Sequence, residues 1–180
     1  MSTGFAPPAH TTGDHSQEAP DYTILVGVRN AMQRILTTDG YFFSAQDINF
    51  EHVNVDYDND SGCPGQLPAI NVNSGTTEYK DLLAFEIEGT LTFPIIGIVY
   101  SKTSVDQALY RLQYDVFRAL YVEKNNGYPF FDEVLAPNAV SIRNLRILRS
   151  VTDEQFLAPY GQFVLTVQVE FSFYSNLVKP

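Results

Sequence analysis

Tryptophan is absent from this chain, cysteine occurs once and histidine three times. The lone Cys63 cannot close an internal disulfide, and alone it cannot build a cysteine-based zinc site. A reducing compartment is the natural expectation. Positive charge is scarce as well, with 11 basic residues against 21 acidic ones and a formal net charge of -10. A nucleic-acid binder needs a basic footprint to displace counterions from phosphates, so that partner class is not expected, nor is an anionic membrane surface. The balance favours solubility and a cationic partner. No apolar run approaches the roughly 20 residues of a membrane helix. The basic start and apolar stretch of a signal peptide are also missing, so no secretory leader is expected.

Catalytic signatures are equally sparse. Gly-x-Ser-x-Gly, a phosphate loop and a dinucleotide loop are all absent, and the glycines are scattered at turns. His10 and His15 fall in a polar N-terminal stretch; His52 stands beside Glu51 with no Ser or Cys nearby in a sharp turn. Nucleophilic catalysis needs a nucleophile beside a base and an orienting group. The expectation is therefore a protein that is not an enzyme and has no cofactor.

What is present is a chain of 180 residues, the size of one ordinary domain, rich in Phe (13) and Tyr (11). Residues 1–20 are polar, contain Pro and lack a periodic apolar face, so they read as an arm that only partners would order. Residues 21–180 read as the folded domain. In 21–36, Ile24, Leu25, Val28, Met32 and Ile35 recur at helical spacing, with Asp21 as the N-cap. In 47–57 the alternation slips near Glu51–His52, which suggests a bulged strand, and Ala69, Ile70 and Val72 form a short one. In 81–100, apolar residues from Leu83 to Phe93 alternate with Glu86, Glu88, Thr90 and Thr92, the pattern of an antiparallel strand with one wet face. Pro94 should then force a bend, an edge or a new strand.

The clearest helix spans 104–123: Val105, Leu109, Leu112, Val116 and Leu120 line one face, and Ser104 with Gln107 has capping-box spacing. Asn125-Asn126-Gly127 stops it. Two strands close the chain, 139–149 with a parity slip near Arg143–Asn144, and 162–174 in unbroken alternation. The fold class that follows is α+β: an antiparallel, twisted β-sheet with two amphipathic helices packed on one face.

Three constellations carry chemical potential. Asp56, Asp58 and Asp60 resemble the start of a calcium loop, but Gly62 falls one place late and the twelfth position is Leu67 instead of Glu. An ordinary acidic turn is the simpler reading; a metal-dependent hydrolase using His52, Asp56 and Asp58 is the enzymatic alternative. Glu86 and Glu88 share the wet face of one strand, and Arg143, Arg146 and Arg149 form a cationic cluster on another. These five residues could join copies of the chain by pairing an acidic strip with an arginine cluster, or could form ordinary surface ion pairs.

The succession of segments resembles the tail terminator, or tail completion, proteins of tailed bacteriophages. The matching features span about 22–175: the opening helix, PAINV (68–72), LLAFEIEGTLTF (82–93), SVDQALYRLQYDVFRAL (104–120), NGYPFF (126–131) and the two final strands. The resemblance implies a structural virion protein, made in the host cytoplasm, that forms a homo-oligomeric ring of six. Its implied partners are further copies of itself, the tail tube protein and a neck or head-completion protein. Capping the tube would end its polymerisation and prepare the joining of tail to head, with no catalysis and no cofactor. Arm 1–20 and the acidic loop 56–67 depart from the family pattern. A head–tail adaptor or baseplate component is the structural alternative.

Overall fold

The computed structural model describes residues 19–35, 40–50, 67–83, 86–127, 140–153 and 159–174. Outside those residues lie nearly all of the arm, His52, the acidic positions Asp56, Asp58 and Asp60, Cys63 and the NGYPFF segment beyond Gly127.

Among the described residues, two α-helices and five strands follow in order: α1 (Pro20–Ile35), β1 (Ala69–Val72), β2 (Thr76–Leu83), β3 (Glu86–Tyr100), α2 (Val105–Asn125), β4 (Val140–Asp153) and β5 (Tyr160–Tyr174). All the strands pair antiparallel in one sheet, so the fold is α+β. β3 and β5 form its centre and pair along their full length, from Glu86 opposite Tyr174 to Tyr100 opposite Tyr160. β4 flanks β5. On the other side of β3, β2 covers the first half and β1 the second.

Alternation decides which face is core. The odd-numbered Leu91, Phe93, Ile95 and Val99 of β3 are buried, with Phe163, Leu165, Val167, Val169 and Phe171 of β5. Ile24, Val28 and Met32 of α1 and Leu109, Leu112, Val116 and Leu120 of α2 belong to the same cluster, so both helices cover this face. Burying a side chain such as Leu112 contributes about 1.5–3 kcal/mol. Two aromatic rings fill gaps left by glycine: Phe171 lies over Gly89 and Phe163 over Gly97, each directly across the strand pair. A Cβ at either glycine would collide with the ring, so both positions need the bare backbone.

Several expectations change. The strand read over 81–100 begins at Glu86; residues 81–83 instead end β2, an antiparallel partner whose register sets Lys80 opposite Glu88 and Leu83 opposite Glu86. Pro94 neither begins a new strand nor puts β3 on an edge: it sits inside the sheet, opposite Thr166. The amide of Asn73 donates to the Pro94 carbonyl at 3.1 Å, so the side on which Pro94 lacks a donor faces the break between β1 and β2. A residue's N–H and C=O point the same way in an antiparallel strand, so the missing donor falls where the ladder is already interrupted. Of the strand read over 47–57, only residues 47–50 are described; there one parallel bridge, Asn49 to Ala69, follows the 3₁₀ turn Ala45–Asp47, and the bulge read near Glu51–His52 lies outside the described residues.

The caps differ too. Ser104 makes no side-chain capping bond to α2. Instead the Ser101 hydroxyl accepts the amides of Thr103 and Ser104, at 3.4 and 3.2 Å. Asp21 lies inside the first turn of α1, where its carboxylate accepts the hydroxyls of Thr77 (2.9 Å) and Tyr79 (2.8 Å) and ties the helix to β2. At the other end of α2, Gly127 takes a positive φ of 78° and its amide reaches the Lys124 carbonyl, as the stop signal implied. The slip near Arg143 is a bulge between Ile142 and Asn144, and a second bulge lies between Ile147 and Arg149.

Candidate functional site

The outer sheet face carries the charged residues singled out above. Arg143, the extra residue of the first β4 bulge, reaches across β5 to Glu86 (2.9 Å) and to Glu88 on β3. Ser172, directly opposite Glu88 on the intervening strand, is small enough to be crossed. Arg146 pairs with Glu170 of β5. The structure thus brings Glu86, Glu88 and Arg143 together within one chain. Arg149 is exposed opposite Thr166, and no ion pair to it is present among the described residues. Glu78, Lys80, Glu88, Thr90, Arg143 and Glu170 line a shallow open trough on this face. Both signs are interleaved there, which leaves no concentrated field for a charged ligand. Among the described residues no group of three or more His, Cys, Asp or Glu is placed to hold a metal ion. The Asp56, Asp58 and Asp60 candidate lies outside them.

A different surface stands out on α2. Tyr110, Tyr114, Phe117 and Tyr121 follow one another at spacings of four, three and four residues and so share one stripe of the helix. That stripe points well away from the core stripe of Leu109, Leu112, Val116 and Leu120. Tyr110 is 50% exposed, Tyr114 58% and Tyr121 48%. Phe117 is half-buried and packs on the core edge.

Beside it runs a second stripe, Arg111, Asp115 and Arg118, which clamps the segment from Gly40 to Phe43. Asp115 is buried, and its Oδ2 accepts the Phe43 amide at 2.9 Å. The Arg118 guanidinium donates to the Gly40 carbonyl and lies 4.6 Å from the centre of the Tyr41 ring. Arg111 lies 5.2 Å from the centre of the Phe42 ring, and Phe42 meets Tyr114 edge to face at 6.2 Å. Cation–π contacts at exposed sites are worth about 0.5–1 kcal/mol each. Together with the hydrogen bond from the Phe43 amide to Asp115 they fix Phe42, itself 58% exposed, as part of the same band.

Electrostatics follow the packing. Burial raises the Asp115 carboxyl above its ordinary value, while the amides of Phe43 and Phe42 and the nearby Arg118 pull the other way. Burial also raises Tyr41, against the lowering effect of Arg118. Neither Arg111 nor Arg118 has a carboxylate at ion-pair distance among the described residues. The band is therefore aromatic, cationic and held in shape before anything binds.

Sequence reasoning read 104–123 for its core stripe and passed over this one. The signal was present in the spacing of Tyr110, Tyr114, Phe117 and Tyr121, but the clamped segment comes from 72 residues upstream, which no local pattern reveals. Matching the sequence against models of known protein families and against curated proteins finds no relative.

Proposed function

We propose that the chain is a structural protein of a bacteriophage tail, one subunit of a ring that caps the tail tube, ends its polymerisation and presents a surface for joining the head. Its partners in this reading are copies of itself, the tube protein and a neck protein, and its place is the virion.

One observation carries the reading. Helix α2 turns outward a pre-organised band of tyrosine, phenylalanine and arginine, the residue types enriched where proteins bind proteins. Large rigid aromatic rings bury much area at little entropic cost, so a band fixed in advance favours association. The order of elements adds support. Within the described residues, the segments that carry the resemblance to tail terminators fall in α1, β1, the end of β2, β3, α2, β4 and β5 of one domain, while NGYPFF beyond Gly127 lies outside those residues.

The test is deletion of the gene from its phage, followed by electron microscopy of the particles. Overlong tubes beside unjoined heads are the expected result, because only a missing cap lets a tube keep growing. Tails of normal length that fail to join would assign the chain to a head–tail adaptor instead. Intact virions would overturn the structural reading altogether.

A further inference from the structure

The band on α2 has one physical requirement, a partner surface that is acidic and able to accept aromatic rings. We infer that this surface belongs to a second copy of the chain, and that the two meet head to tail. The inference rests on the reading of the chain as a ring subunit and names the contact that would build the ring.

Charge complementarity selects the occupant. The chain has 21 acidic and 11 basic residues, so a neighbouring copy carries negative charge in excess. Several of the basic residues are engaged elsewhere: Arg143 and Arg146 pair with glutamates on the sheet face, and Lys124 donates to Asn144 and to the Leu145 carbonyl. Arg111 and Arg118 stack on rings, and Arg118 also donates to the Gly40 carbonyl; with no carboxylate at ion-pair distance among the described residues, their charge stays available to a neighbour.

The same charges decide the geometry. A two-fold contact of band against band would set Arg111 and Arg118 against their own copies, and like charges facing each other destabilise a contact. The band must therefore meet a different, acidic patch of the neighbour. Contacts between unlike patches close into a ring when the rotation between copies permits it. The stripe from Tyr110 to Tyr121 runs about 16 Å along the helix, long enough to anchor one side of such a contact.

The full-length protein, measured by light scattering on a sizing column and by mass photometry, tests this. The wild type should form a discrete oligomer that weakens as salt rises. The double variant Arg111→Glu, Arg118→Glu should dissociate at least about tenfold more readily while keeping the wild-type circular dichroism. Because Arg118 also holds Gly40, a second variant, Tyr114→Ala with Tyr121→Ala, leaves that clamp in place, gives up the edge contact of Tyr114 with Phe42, and should weaken assembly likewise. Normal assembly in folded forms of both variants would overturn the inference. So would a wild type that stays monomeric up to high concentration, which would assign the band to a different protein. Neither result bears on tube length in the deletion phage, so failure here and failure of the capping role are separable.

Discussion

Asp115, fully buried in helix α2, accepts the backbone N–H of Phe43 at 2.9 Å and so anchors a loop that the sequence places far away. Removing the acceptor leaves a buried donor unsatisfied. Asp115→Ala should therefore destabilise the fold by about 1–3 kcal/mol. Asp115→Asn keeps an acceptor and removes the buried charge, so it should be clearly more stable than the alanine variant at neutral pH. The pH dependence has a definite sign. Burial raises the folded-state pKa of Asp115 above 3.8, so the fold binds the proton more tightly than the unfolded chain does. This contribution is fully present below 3.8 and lost as pH rises through the folded-state value. Urea titrations of wild type and Asp115→Asn across that range should show wild type losing stability relative to the variant as pH rises. Parallel curves would contradict the assignment.

The pairing of Gly89 with Phe171 makes a second prediction. Gly89→Ala should cost about 1–3 kcal/mol, because the new methyl group must displace a ring locked between sheet and core. Trimming the ring should relieve the clash, so Gly89→Ala combined with Phe171→Leu should be less destabilised than the sum of the single changes. A double-mutant cycle from chemical denaturation measures this coupling. Strict additivity would mean that the ring moves aside freely.

Elements whose period is set by burial could be read from the sequence. The alternation from Phe163 to Phe173 and the helical stripe from Val105 to Leu120 each face one core, and tertiary packing reinforces what local spacing already specifies. The bulge at Arg143 was visible for the same reason, as a parity slip between two apolar runs, Val140–Ile142 and Leu145–Ile147. β2 was not, because an edge strand of sequence TTEYKDLL carries little greasy alternation, and no Gly, Pro or Asn marks the turn into β3. Pro94 misled because local rules forbid proline in a sheet centre, whereas the break between β1 and β2 removes the need for its donor. The ion pairs of Glu86 and Glu88 with Arg143 depend on a register between three strands, which spacing along one strand cannot supply.

That register predicts a small energetic role for the sheet-face charges. The side chains of Arg143 and Arg146 are 46% and 50% exposed. Solvent screens such pairs, so Arg143→Gln or Arg146→Gln should each lower stability by less than about 1 kcal/mol. Arg146→Glu places like charges beside each other, and Glu170→Arg in the same chain should restore the pair. Thermal melts and sizing of both variants report fold and assembly together. Assembly lost in Arg146→Glu and not restored by Glu170→Arg would return the sheet face to the role of contact surface between copies.

The last prediction concerns the tie between α1 and β2. Tyr79 donates its hydroxyl to Asp21 at 2.8 Å, while its ring meets Phe171 and Phe173 edge to face. Burial first, then the hydrogen bond and the charge of Asp21, push the Tyr79 hydroxyl up to about 12 from an ordinary value of 10.0. The raised value means that the neutral phenol is favoured in the fold. The stabilisation is present below 10.0 and lost as pH rises through about 12. Tyr79→Phe keeps the ring contacts and removes only the bond, so at neutral pH it should lower stability by no more than about 1 kcal/mol, given that the residue is half exposed. Absorbance titration of the phenolates should show the wild type retaining one tyrosine that ionises last, and the variant lacking it. If the slowest-ionising phenol persists in Tyr79→Phe, the tie to Asp21 is not what holds that proton.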